Sequence, residues 1–112
     1  MKSTKTKRIE AERKRLMQFY VELPENKLEL VTPLIENAAF MKVTLDDLQE
    51  LINESGVTDE YQNGENQRGR KISADIQAYN STMKMYTAVI DRLAKMLPPM
   101  RKKSKLEELT DE

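Results

Sequence analysis

Apolar residues fall on a heptad grid in two stretches of the chain. Val31, Leu34, Ala38, Met41, Leu45, Leu48 and Ile52 are spaced alternately three and four apart, the spacing of a coiled-coil seam. The alternation returns at Ile72, Ile76, Tyr79, Met83, Tyr86, Ile90, Leu93 and Leu97. Each seam predicts a long helix. Pro24 and Glu25 suit the first turn of the earlier one, because proline forgoes an N–H that would have no partner and a carboxylate favours the positive end of the helix dipole. Ser55-Gly56 suits its stop. Pro33 can kink its first turns, and Thr44 with Asp47 offers a capping pair that would permit a break near Val43. The seam stays in phase across Val43, which favours one helix. The later helix spans roughly 26 residues, about 39 Å at 1.5 Å per residue, and Pro98-Pro99 closes it. Residues 57–70, VTDEYQNGENQRGR, read as a polar connector whose glycines let the chain reverse. The predicted core is thus an antiparallel helical hairpin over residues 24–99.

A further helix is predicted from about Lys5 to Val21, ended by Leu23-Pro24. Its apolar set, Ile9, Leu16, Phe19 and Tyr20, is sparse. Residues 1–23 therefore form a basic N-terminal helix, and residues 100–112 a charged, flexible tail. The seams leave apolar residues over: Leu28, Leu30, Ile35, Phe40, Val43 and Leu51 on the first helix, and Met85, Val89 and Met96 on the second. The N-terminal helix can cover part of this surplus and neighbouring copies the rest, which predicts a homo-oligomer.

Composition agrees with an all-α fold. Of 112 residues, 34% are charged and only 5% aromatic, and Gly and Pro together number seven, a mix that favours helix over sheet. The length allows one small domain. No apolar run is long enough to cross a bilayer, and the basic start has no signal-peptide core, so no membrane partner is expected. The chain has neither Cys nor His. That excludes disulfides and thiolate metal sites and removes the usual general base with its Ser–His and Cys–His pairings. No enzyme activity, metal or other cofactor is expected.

The formal net charge of zero conceals segregation. Residues 1–20 carry seven Lys/Arg and two Glu, for +5, and residues 21–66 carry two Lys and eleven acids, for −9. Residues 67–105 carry ten Lys/Arg and two Asp, for +8, and residues 106–112 carry four acids, for −4. Such blocks fit a polyanionic partner, electrostatic self-assembly, or solvated helix faces with charged tails.

Gly64 to Lys71 contains G-x-x-x-x-G-R-K, close to the phosphate-binding G-x-x-x-x-G-K-[ST]. The register fails, because Arg70 stands at the Lys position and Ile72 precedes Ser73. No buried strand precedes it, so nothing aims backbone N–H groups at a phosphate. Asp46, Asp47, Glu50 and Glu54 have the spacing to gather oxygen ligands for a hard cation, yet such spacing more commonly marks a wet helix face. Tyr79 and Tyr86 fall on the seam and read as core. The phosphate-neutralising candidates are Lys5, Lys7, Arg8, Arg13, Lys14 and Arg15 on the N-terminal helix, then Arg68, Arg70 and Lys71 in the connector. No helix-turn-helix is evident, so any DNA contact would be to backbone and shape.

One known family has these features in this order. An acidic heptad helix ends at Gly56. A polar connector follows with Asn63-Gly64 and the basic Gly69-Arg70-Lys71. A second long helix opens with Ile72-Ser73-Ala74-Asp75-Ile76 and closes with Leu97-Pro98-Pro99-Met100-Arg101. Over roughly residues 25–101 the chain resembles the terminase small subunits of tailed bacteriophages. The resemblance implies a non-enzymatic component of a genome-packaging motor in the host bacterial cytoplasm. It implies a ring-like homo-oligomer that binds double-stranded viral DNA and regulates the large terminase subunit, which holds the ATPase and nuclease. The nine basic residues above would meet DNA phosphates, and Leu106, Glu107, Glu108 and Leu109 would meet the large subunit. The alternative, from another functional class, is a helical-hairpin scaffold or adaptor that self-associates without binding nucleic acid.

Overall fold

The computed structural model describes residues 2–56, 58–62 and 68–99, of which residues 2–3, 59–62 and 68–71 are described by their backbone. Three helices account for most of it: α1 (Lys2–Met17), α2 (Glu25–Ser55) and α3 (Ala74–Lys95). A short antiparallel ribbon, β1 (Thr58–Gln62) and β2 (Arg68–Ile72), joins α2 to α3. The helical architecture agrees with the sequence expectation. The ribbon replaces part of the expected irregular connector and takes Ile72 out of the second seam, leaving it 56% exposed. No described helix is long and apolar enough to cross a membrane.

The helix ends follow from local chemistry. α1 has little apolar periodicity, and arginine–glutamate pairs one turn apart support it. It tightens into a 3-10 turn, Gln18–Tyr20, and Leu23 N–H closes back on the Tyr20 carbonyl at 3.0 Å. The Pro24 carbonyl then accepts from Lys27 and Leu28 and starts α2, with Glu25 in the first turn. α2 runs unbroken for 31 residues, through both Pro33 and Val43. Pro33 has no N–H for the Glu29 carbonyl; both residues are exposed, so water can reach that carbonyl. Gly56 stops the helix with φ +85°, a conformation that favours glycine, while its N–H bonds the Ile52 carbonyl at 2.7 Å. Ser73 caps α3: its hydroxyl accepts from Asp75 N–H at 3.1 Å, and the residue is 1% exposed.

α2 is the central element, with α1 and α3 packed antiparallel to it on separate flanks. The main core lies at one end, where Leu16 and Tyr20 meet Val31, Ile35, Ala38 and Leu93. Val31 and Ile35 are fully buried, each contributing about 1.5–3 kcal/mol by removal from water. Two partner helices explain why α2 departs from a narrow heptad seam. Val31, Ala38 and Leu45 of the seam are buried, but so are Ile35, Ala39 and Val43 beside it. Three-helix packing demands a wider apolar face than a two-stranded coil. On α3 only Leu93 is fully buried.

Candidate nucleic-acid interface

The basic helix lies across an acidic one. Antiparallel packing brings the start of α1 beside the second half of α2. There Arg8 Nη1 donates to Asp47 Oδ1 at 2.8 Å, and Lys5 Nζ lies 3.8 Å from Asp47 Oδ2. Lys5 also stands 5.3 Å from the Phe40 ring centroid, within cation–π range. Two of the six candidate cations on α1 are thus turned toward α2, and their charge is partly spent on a carboxylate of the same chain.

Two more are paired within α1. Arg13 grips Glu10 by two bonds, from Nε at 2.9 Å and Nη2 at 2.5 Å. Arg15 holds Glu12 the same way, at 2.8 and 2.6 Å. The Arg13 hydrogen bond holds the Glu10 carboxyl below its ordinary range, and the Glu12 bond raises Arg15 further. These forks leave the cations at the surface, where an ion pair contributes little and a phosphate can compete for the guanidinium. Lys7 and Lys14 are exposed and have no ion-pair partner among the described residues. Seven positions apart, they share a face of α1 about 10 Å long. The outward cationic stripe is therefore Lys7 and Lys14 flanked by Arg13 and Arg15.

A polar cluster lies at mid-length where the three helices converge. Lys42 meets Asp46 at 2.7 Å on α2, and this bond raises the lysine. Tyr86 of α3 is half-buried. Burial pushes its phenol up, the Glu12 carboxylate adds to that, and Lys42 and Arg15 oppose it. The hydroxyl thus stays neutral among charges from α1 and α2. Tyr86 packs against the core, in agreement with its seam position.

The acidic quartet divides. Asp46 and Asp47 are tied to cations, while Glu50 and Glu54 face water. Among the described residues, no group of three acidic, His or Cys side chains could hold a metal. Sequence reasoning missed Asp47 as an anchor for α1. Its only signal was the opposite sign of the two charge blocks.

The connector cations lie on β2. Register sets Arg70 opposite Glu60, Lys71 opposite Asp59 and Arg68 opposite Gln62. The register thus sets acidic positions of β1 opposite basic positions of β2. The extended backbone at 68–72 also has no likeness to a phosphate loop opening a helix. Gly64 and the tail residues Leu106, Glu107, Glu108 and Leu109 lie outside the described residues.

No known protein family, curated protein or solved structure matches the chain. The functional reading therefore rests on its own residues: an outward basic stripe on α1, an inward Asp47 clasp, and an exposed apolar strip between α2 and α3.

Proposed function

We propose that the protein is a non-enzymatic small terminase subunit. It would bind double-stranded viral DNA through phosphate contacts, self-associate, and present its tail to a large ATPase/nuclease subunit. The observation that carries the DNA reading is the exposed Lys7–Lys14 face, with Arg13 and Arg15 beside it in pairs that water screens. Phosphate contacts of this kind position a duplex without reading its sequence. The order of sequence features supports the terminase assignment. Exposed Val21 and Leu51, which line neither side of the α2–α3 contact, support self-association into a ring-like oligomer.

The scaffold or adaptor reading also has a specific observation in its favour. Lys5 and Arg8 are engaged by Asp47, so part of the basic block serves to pack α1 on α2. Mass measurement by light scattering, with and without duplex DNA, separates the two readings. The terminase reading predicts a stable oligomer that gains mass with DNA at low salt. An oligomer that gains none supports the adaptor, and a monomer that persists undiluted or diluted overturns self-association.

A further inference from the structure

Between them α2 and α3 carry a groove of about 500 Å³ lined by Leu34, Phe40, Met41, Met85, Val89 and Arg92, with Lys5 of α1 reaching the Phe40 ring at its edge. Past Leu34 and Arg92 it continues into a second hollow of about 480 Å³, beside Leu30, Lys95 and Met96. Leu30 is 67% exposed, Met85 55% and Phe40 52%, so these apolar side chains lack a cover among the described residues. The charge of the groove is one-sided. Arg92 has no ion pair among the described residues, Lys95 meets Asp91 at 3.1 Å, and no carboxylate lines either hollow. A second copy offering this same face would add cations to cations.

The chain itself carries a complementary segment. Residues 106–112, LEELTDE, place Leu106 and Leu109 three apart among four acids, so one helical turn puts both leucines on one side. The segment begins close by. α3 ends at Lys95, Met96 lines the second hollow, and the described chain runs on to Pro99. Six residues separate Pro99 from Leu106, so the seven Cα-to-Cα steps reach up to about 25 Å. From Met96 back to Met85 the helix rises only about 16 Å.

We infer that residues 106–112 dock in cis on the α2–α3 groove. Leu106 and Leu109 enter the apolar floor, and the acids meet Arg92 and Lys95. Tethering gives the segment a high effective concentration at the groove, so the tail covers this face until a partner draws it off. The inference concerns the chain's own tail and does not depend on DNA binding.

The full-length protein tests it directly, because the absence of Cys allows one to be introduced for labelling. A nitroxide on Thr110→Cys, with methionine and isoleucine methyl groups observed by NMR, reports proximity. Docking in cis predicts strong broadening at Met85 and Met96 but not at Ile9 on α1. It also predicts that Arg92→Glu or the pair Leu106→Asp and Leu109→Asp restores the sharp signals, as does high salt in part. Unbroadened Met85 and Met96 signals overturn the inference. So does broadening seen only when label and isotope are on different chains, which would assign the groove to a second copy.

Discussion

The Tyr20 hydroxyl donates to the Leu93 carbonyl at 2.5 Å, in a buried site that ties the end of α1 to the last turns of α3. The bond spans 73 positions in sequence and closes the three-helix core around Val31 and Ile35. Tyr20→Phe removes the donor but leaves the Leu93 carbonyl with Met96 N–H, 3.1 Å away. The expected loss is about 1 kcal/mol, seen as a fall in Tm of about 4 °C.

The same tyrosine makes stability sensitive to alkali. Burial raises its folded pKa above the ordinary value of about 10. The unfolded chain therefore loses this proton first as pH rises, and unfolding is favoured from there through the folded pKa. Tyr86 acts in the same direction. Urea midpoints measured from neutral pH to above pH 10 should fall at the alkaline end. In Tyr20→Phe the fall should be smaller but still present, owing to Tyr86. An unchanged alkaline slope in the variant would show that Tyr20 titrates as it does in the unfolded chain.

Asp47 has two consequences for α1. Asp47→Asn should cost less than about 1 kcal/mol of global stability, since Arg8 and Lys5 are about two-fifths exposed. Hydrogen exchange should nonetheless quicken selectively in the first turns of α1, while amides around Leu16 stay protected by the core. Duplex DNA affinity at low salt should rise, because two cations are released from an internal carboxylate. Lower affinity in this variant would mean that α1 must be held down in order to bind.

Buried and exposed apolar residues of α2 should behave differently. Ile35→Ala empties a fully buried site and should cost about 2–5 kcal/mol. Phe40→Ser, at a half-exposed position, should leave the unfolding midpoint of dilute protein nearly unchanged. Its effect should appear as weaker broadening of Met85 by a nitroxide on the tail. If Phe40→Ser unfolds the dilute protein as severely as Ile35→Ala, the groove side is core and no binding face.

Much of this fold can be read along the chain. Gly56, Pro24 and the Pro98-Pro99 pair mark ends because each imposes a backbone restriction that needs no tertiary context. Val31, Ala38 and Leu45 declare a buried face through spacing alone. Ile35 and Val43 looked surplus to that seam, and the structure buries both, Ile35 in the cluster of Leu16 and Tyr20, while Leu30, Phe40, Leu51 and Met85 stay exposed. What could not be read depends on long-range pairing. Arg8 and Asp47 are 39 positions apart, and a count of charges cannot tell which cation meets which acid. The ribbon was hidden for a different reason. Its strands are mostly polar, so they lack the apolar alternation that announces a sheet, and Ile72 fitted the heptad count of α3 despite lying on β2.

In the proposed function the outward face of α1 neutralises DNA phosphates. Duplex affinity measured against salt concentration, for the native protein and for Lys7→Gln with Lys14→Gln, tests it most directly. Each phosphate contact contributes about −0.9 to the slope of log affinity against log salt. Measurable binding at low salt is expected, with a slope shallower by about 2 in the double variant. Equal slopes in the two proteins, or no binding by the native protein at low salt, would contradict it.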